Sequence, residues 1–203
     1  WHLKIILLSF VFSPWMAWSA PSLQGADSIL QMPLGARAAM VRKLGPENYQ
    51  SLLRVMFAKD ESMQTRWTAL MTVAKVGGVE ALPELEQALK DREWFMRNAA
   101  ILAISHIDTD LAKLRARELL SDKSLLVRSA AVRVLVHLKD RSSATLLWEK
   151  LSAPENFRKG QSLFIRKQIV QGLGQLEKPG QEIRFLSLLK NPDASLHEST
   201  ISA

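Results

Sequence analysis

The sequence predicts an all-α protein in which antiparallel helix pairs are stacked in a row. The composition is that of a folded chain, with 47% hydrophobic and 23% charged residues over 203 positions. Gly and Pro number only 9 and 8, whereas an all-β fold needs many turns built from such residues. An Arg and an Asp also recur at a fixed interval, and the segments around them carry apolar side chains at helical period.

At the N-terminus, residues 1–19 are predicted to be a cleaved signal peptide. Lys4 precedes an apolar run over residues 5–12, and small side chains at Ala17 and Ser19 favour cleavage after Ser19. The run is too short to span a bilayer, which takes about 20 helical residues. We therefore expect export, to the periplasm or alternatively to the extracellular space. The competing interpretation is a buried N-terminal helix.

Residues 20–34 are predicted to form a linker, and a repeat array is expected over residues 35–203. The predicted units are 35–59, 60–90, 91–121, 122–159 and 160–191, with a partial unit at 192–203. Each unit has the pattern of two helices, for example one at residues 94–106 and a second that begins near Leu111 after a short turn. No segment alternates with period two, so we expect no sheet.

The repeat signal rests on two sets of equivalent positions. The arginines are Arg66, Arg97 and Arg128, spaced 31 residues apart, and six residues before each lie Asp60, Asp91 and Asp122. A fourth copy around Arg166 comes 38 residues after the third and has Gly160 at the Asp position. A further copy begins at Leu196 and has Glu198 where Arg is expected.

The repeated motif is an Asp, an Arg six residues later, then two small residues and a Leu or Ile. This motif resembles the HEAT-repeat family in its short bacterial form. The resemblance implies a right-handed α–α superhelix whose repeats are linked by a hydrogen-bonded ladder. The ladder residues that it implies are Asp60, Arg66, Asp91, Arg97, Asp122, Arg128 and Arg166. The chemistry of these side chains agrees, since Asp caps helix starts and planar Arg can bridge a carboxylate and carbonyls.

The residue types that usually carry catalysis or metal binding form no convincing site. There is no Cys, and His106 and His137 occupy equivalent positions one repeat apart. Neighbouring helices are about 8–10 Å apart, too far for shared ligation at about 2.1 Å. His197-Glu198 is the single pair of a kind that di-iron HEAT-repeat hydroxylases use several times. We therefore expect no enzyme activity, no cofactor and no metal.

A basic run is the first candidate for partner binding. Lys113, Arg115 and Arg117 lie on a predicted second helix, and second helices of such superhelices usually line the concave surface. A basic concave surface suits an acidic protein segment or anionic lipid headgroups. The alternative is an ordinary solvated helix face.

The second candidate is the seven-residue surplus between the third and fourth copies, at residues 153–161. Phe157 stands there beside Arg158 and Lys159, and insertions in repeat proteins often map to binding faces. Alternatively, Phe157 folds back onto the core.

Together these observations predict an exported, non-catalytic scaffold that binds a protein or peptide, of which an acidic partner is one option. The alternatives are a lyase- or glycosylase-type enzyme, a nucleic-acid-binding protein and a peripheral envelope-surface protein. Export disfavours nucleic acid as the partner. We expect no transmembrane span, and the sequence leaves the oligomeric state open.

Overall fold

Helices make up most of the chain that the computed structural model describes, which is residues 24–176, 182–191, 193–201 and 203. The predicted signal peptide at residues 1–19 lies outside these ranges. The chain begins with helices α1 (Gln24–Leu30), α2 (Leu34–Leu44) and α3 (Pro46–Phe57). The first helices of the following repeats are α4 (Met63–Gly77), α6 (Trp94–Ile104), α8 (Leu125–His137) and α10 (Phe164–Leu176). The second helices are α5 (Leu82–Ala88), α7 (Thr109–Leu119), α9 (Ala144–Leu151) and α11 (Glu182–Leu188), and α12 (His197–Ile201) starts a further repeat.

Local sequence explains where several of these helices begin and end. Ser62 caps α4 by accepting a hydrogen bond from the Thr65 backbone N–H at 3.1 Å. Asp108 caps α7 in the same way, with Oδ1 accepting from the amides of Asp110 and Leu111, each at 3.0 Å. Side-chain oxygens at these positions satisfy amides that have no partner inside the helix. Gly45, at φ 91°, separates α2 from α3, a conformation that glycine adopts without steric cost.

The repeats are joined through two sets of helix contacts. Neighbouring first helices pack against one another, α4 on α6, α6 on α8 and α8 on α10, and each second helix packs on the following first helix. Ala99, Ala100, Ala130 and Ala131 are at most 1% exposed, and their small side chains let α6 and α8 approach closely. The all-α helical-repeat prediction is confirmed.

The predicted linker at residues 20–34 is wrong in part, because α1 lies within it. Ala26 is fully buried and Ile29 is 1% exposed, and α1 packs against α2, α3 and α4. A seven-residue helix is unstable alone, so this burial accounts for its formation.

The expectation of no sheet also needs a small correction. Residues 157–158 (β1) and 161–162 (β2) form an antiparallel hairpin in which Phe157 pairs with Ser162. Lys159 and Gly160 have φ values of 51° and 78°, which a two-residue hairpin turn requires. The predicted boundary between units 122–159 and 160–191 falls within this turn.

Candidate functional site

A ladder of buried arginines holds the repeats in register and so positions every surface of the array. Arg97, which is 5% exposed, makes a two-point contact with Asp122: Nε donates to Oδ2 and Nη2 to Oδ1, both at 2.7 Å. Its Nη1 donates to the carbonyl oxygens of Asp91 and Arg92, each at 2.9 Å. One side chain therefore binds both the loop before its own helix and the loop of the next repeat.

Arg66 repeats this arrangement one unit earlier. Its Nη2 donates to Asp91 Oδ2 at 2.7 Å, and its Nε donates to the Met56 carbonyl at 3.1 Å. Each arginine thus bonds to the carboxylate of the following repeat rather than to that of its own. Asp60 is exposed, and no described arginine bonds to it.

The ladder continues beyond the regular copies through residues that the sequence analysis missed. Arg128 Nε donates to Asn156 Oδ1 at 2.9 Å, and Asn156 is fully buried. Arg166 Nη1 donates to Asp193 Oδ2 at 2.7 Å. The lack of an Asp at Gly160 therefore does not interrupt the ladder, because Asn156 in the insertion supplies the acceptor.

The ladder changes the ionisation of its members. Burial alone would raise the pKa of Asp122, but hydrogen bonds from Arg97 and from the Ser124 amide outweigh it and hold that pKa below its usual value. Burial lowers the pKa of Arg128 and of Arg166. Asp122 is consequently a carboxylate at neutral pH, which the two-point contact with Arg97 requires.

A groove of about 510 Å³ runs across three successive first helices, α6, α8 and α10. Its apolar floor includes Leu102, Val132 and Gly172. Gly172 is needed there, because a Cβ at this position would lie 2.6 Å from Val136 Cγ2 on α8. A volume of this size is in the range of ligand-binding clefts.

The rim of the groove is polar and carries positive charge. It is lined by five exposed polar side chains, those of Arg133, His106, His137, Gln171 and Gln175. No side chain among these five forms a hydrogen bond to a described residue. No Asp or Glu is among the described lining residues. These groups are free to bind acceptor-rich or anionic ligands.

His106 and His137, which the sequence places at equivalent positions, thus share one surface. Across the described residues, no cluster of three or more His, Cys, Asp or Glu side chains has the geometry of a metal site. His197, the other histidine considered above, bonds through Nε2 to the Asn191 carbonyl at 2.8 Å.

The predicted basic run on α7 is compensated by acidic side chains. Lys113 pairs with Asp110 at 3.1 Å. Arg115 pairs with Glu86 at 2.5 Å and with Glu118 at 3.0 Å. Hydrogen bonding to Glu86 and then to Glu118 raises the pKa of Arg115.

Arg117 pairs with a carboxylate of the following repeat. Its Nη2 donates to Asp140 Oδ2 at 2.7 Å. Burial would raise the pKa of Asp140, but hydrogen bonds from Ser142, Ser143 and Arg117 lower it overall. Arg115 and Arg117 therefore tie α7 to the repeats on either side. The groove is lined by first helices, whereas the sequence analysis placed its first candidate surface on a second helix.

The insertion resolves one alternative left open by the sequence. Phe157 is half-buried, and the Arg166 guanidinium lies over its ring, 4.3 Å from the centroid. Phe157 therefore folds back onto the ladder, while Arg158 and Lys159 at the hairpin turn are exposed.

The paired helices, the stacked first helices and the Arg–Asp ladder are the features of a helical-repeat array. Residues 35–105 match the family model for HEAT repeats. This match supports a HEAT-repeat family, and the same packing and ladder continue in the described residues after 105. No curated protein matches the sequence. Among the described residues, no helix has the length and apolarity needed to cross a membrane.

Proposed function

We propose that this chain is an exported, non-catalytic HEAT-repeat scaffold that binds a protein or peptide partner through the groove of α6, α8 and α10. The single observation that carries the proposal is the groove itself, whose unpaired polar side chains stand above an apolar floor. Stacked repeats present extended surfaces of this kind, which suit extended partners better than small substrates.

The charge of the groove favours an acidic partner segment. Arg133 makes no ion pair with a described residue, and the described lining has no carboxylate to oppose it. The α7 cations, in contrast, are each paired with a carboxylate. An incoming anionic segment therefore gains more from Arg133 than from the basic run on α7, whose existing pairs it would have to replace.

The chemistry of the lining supports a non-catalytic role. Nucleophilic catalysis requires a nucleophile bonded to a base that is itself oriented by a third group. The polar groove side chains are amides, two imidazoles, one guanidinium and the Ser105 hydroxyl, which donates to the Leu102 carbonyl oxygen at 2.7 Å and not to a histidine. Export rests on residues 1–19 alone, and N-terminal sequencing of the protein from its natural cells tests it.

Fluorescence polarisation with two labelled peptides tests the groove. One alternates Glu with Ala and the other alternates Lys with Ala. We expect the acidic peptide to bind at least about tenfold more tightly, and Arg133→Glu to abolish this preference. Arg141→Glu is the matched control, because it makes the same charge change in the same repeat outside the groove. A preference that survives Arg133→Glu would overturn the groove as the binding site.

A further inference from the structure

One edge of the array is formed by the loops that connect each repeat to the next. The ladder ties these loops together, since Arg97 bridges residues 91–92 to Asp122. Lys59 and Glu61 line one depression together with Lys90 and Arg92 of the next loop. Gly160 and Gln161 line another together with Asn191 and Asp193. These loops are therefore neighbours in space along the length of the array.

This edge carries a row of exposed cations. They are Lys90, Arg92, Lys123, Arg158, Lys159 and Lys190, and none forms an ion pair with a described residue. The acidic residues of the same loops are largely engaged elsewhere. Asp91, Asp122 and Asp193 bond to ladder arginines. Glu93 is exposed, so beyond residue 90 the edge has a clear excess of positive charge.

Large apolar side chains are exposed on the same edge, where each first helix starts. Met63 is 52% exposed, Leu126 44% and Phe164 51%, and Leu189 in the loop after α11 is 38% exposed. Trp94, the first residue of α6, is half-buried. From residue 90 onward, each connecting loop thus presents a cation together with an apolar or aromatic side chain.

We propose that this edge binds an anionic phospholipid surface. Cations next to Phe, Trp, Leu and Met side chains match the two parts of a membrane interface, where anionic headgroups lie over acyl chains. A soluble polyanion would interact with the cations but would leave the exposed Phe164 and Met63 in water. The interleaved apolar residues therefore favour a lipid surface. This edge is distinct from the groove, so the two proposals can fail separately.

The opposite edge provides a matched control. The turns inside the repeats carry Lys75, Lys139 and Arg141, which are also exposed. Replacing all three by Glu changes the net charge by the same amount as the loop-edge triple variant, which combines Lys123→Glu, Arg158→Glu and Lys159→Glu. Any difference between the two triple variants therefore reports position rather than net charge.

Co-sedimentation with vesicles tests the proposal. The purified protein is mixed with vesicles of pure phosphatidylcholine or of phosphatidylcholine with one-third phosphatidylglycerol. We expect binding only to the anionic vesicles. Each cation near such a surface contributes about fivefold, so the triple variant at Lys123, Arg158 and Lys159 should bind at least about 100-fold more weakly. The opposite-edge variant should bind within a few-fold of the parent.

Phe164→Ser tests the apolar part of the interface. We expect it to weaken vesicle binding about fivefold without changing the circular dichroism spectrum, because Phe164 is exposed. A 30-nucleotide single-stranded DNA is the comparison ligand. Three results would each overturn the proposal. The first is no binding to anionic vesicles, and the second is an equal loss of binding in the two triple variants. The third is vesicle binding that Phe164→Ser leaves intact, together with equally tight binding of the DNA.

Discussion

Replacement of Arg97 by Met is the most informative test of how the array is held together. The guanidinium of Arg97 is buried and satisfies Asp122, whose side chain is 9% exposed. Met has a similar length and keeps the apolar contacts of the stem, so the substitution removes mainly the charge and its hydrogen bonds. Asp122 then remains as a buried carboxylate with only the Ser124 amide as a described donor.

Breaking a buried ion pair by removing one partner costs about 3–5 kcal/mol, most of it the penalty of the charge left behind. We expect Arg97→Met to lower the free energy of unfolding by this amount at pH 7. Urea denaturation followed by circular dichroism measures the loss. Since protonation of Asp122 relieves the penalty, the loss should be smaller near pH 4.

Two controls accompany this substitution. Arg92→Met alters an exposed neighbour and should change stability by no more than about 0.5 kcal/mol. Arg97→Met combined with Asp122→Leu removes both charges and should recover part of the loss. A cost below about 1 kcal/mol for Arg97→Met alone would refute the ladder as the link between repeats.

Three further substitutions test the roles of Asp122, Asn156 and Gly172. The pKa of Asp122 is lowered in the folded state, so the Asp122 carboxylate stabilises the fold above the unfolded pKa of about 3.9, and this stabilisation is lost as the pH falls further. Asp122→Asn should therefore flatten the fall in stability below pH 4 in acid titrations. Asn156→Ala should cost about 1.5–3 kcal/mol in urea denaturation by removing the acceptor of a charged ladder hydrogen bond, and a neutral result would argue against its ladder role. Gly172→Ala should lower the thermal midpoint, since the new Cβ meets the stiff Val136 side chain. Gly35→Ala has open space and should leave the midpoint unchanged or raise it.

The fold class was predictable because the apolar pattern and the repeated Arg are local features of the chain. Arg97 and Asp122 stand at fixed offsets, and the resemblance to HEAT repeats that this spacing carries implied their ladder role. Asn156 was not predictable, because it is ten positions before Arg166 instead of six and is an amide instead of a carboxylate. The short α1 was missed for a related reason, since its stability comes from packing and not from its own pattern.

The ion pairs that Arg115 and Arg117 form with neighbouring repeats were also not predictable from the sequence. Arg115 reaches back 29 positions to Glu86, and Arg117 reaches ahead 23 positions to Asp140. Such contacts depend on how neighbouring repeats are rotated, which residue spacing does not determine. The position of the groove was not predictable either. Both helices of a repeat are amphipathic, so the apolar periodicity does not indicate which helix layer forms a cleft.

Site-specific photo-crosslinking in the cells that naturally make this protein tests the central claim most directly. A benzophenone side chain is placed at Gln171 in the groove or, as the control, at Leu114, which is 48% exposed on α7 beside the basic run. If the groove binds the partner, Gln171 should give a discrete covalent adduct with one partner protein, Arg133→Glu should abolish that adduct, and Leu114 should give none. An adduct from Leu114 together with none from Gln171 would contradict it.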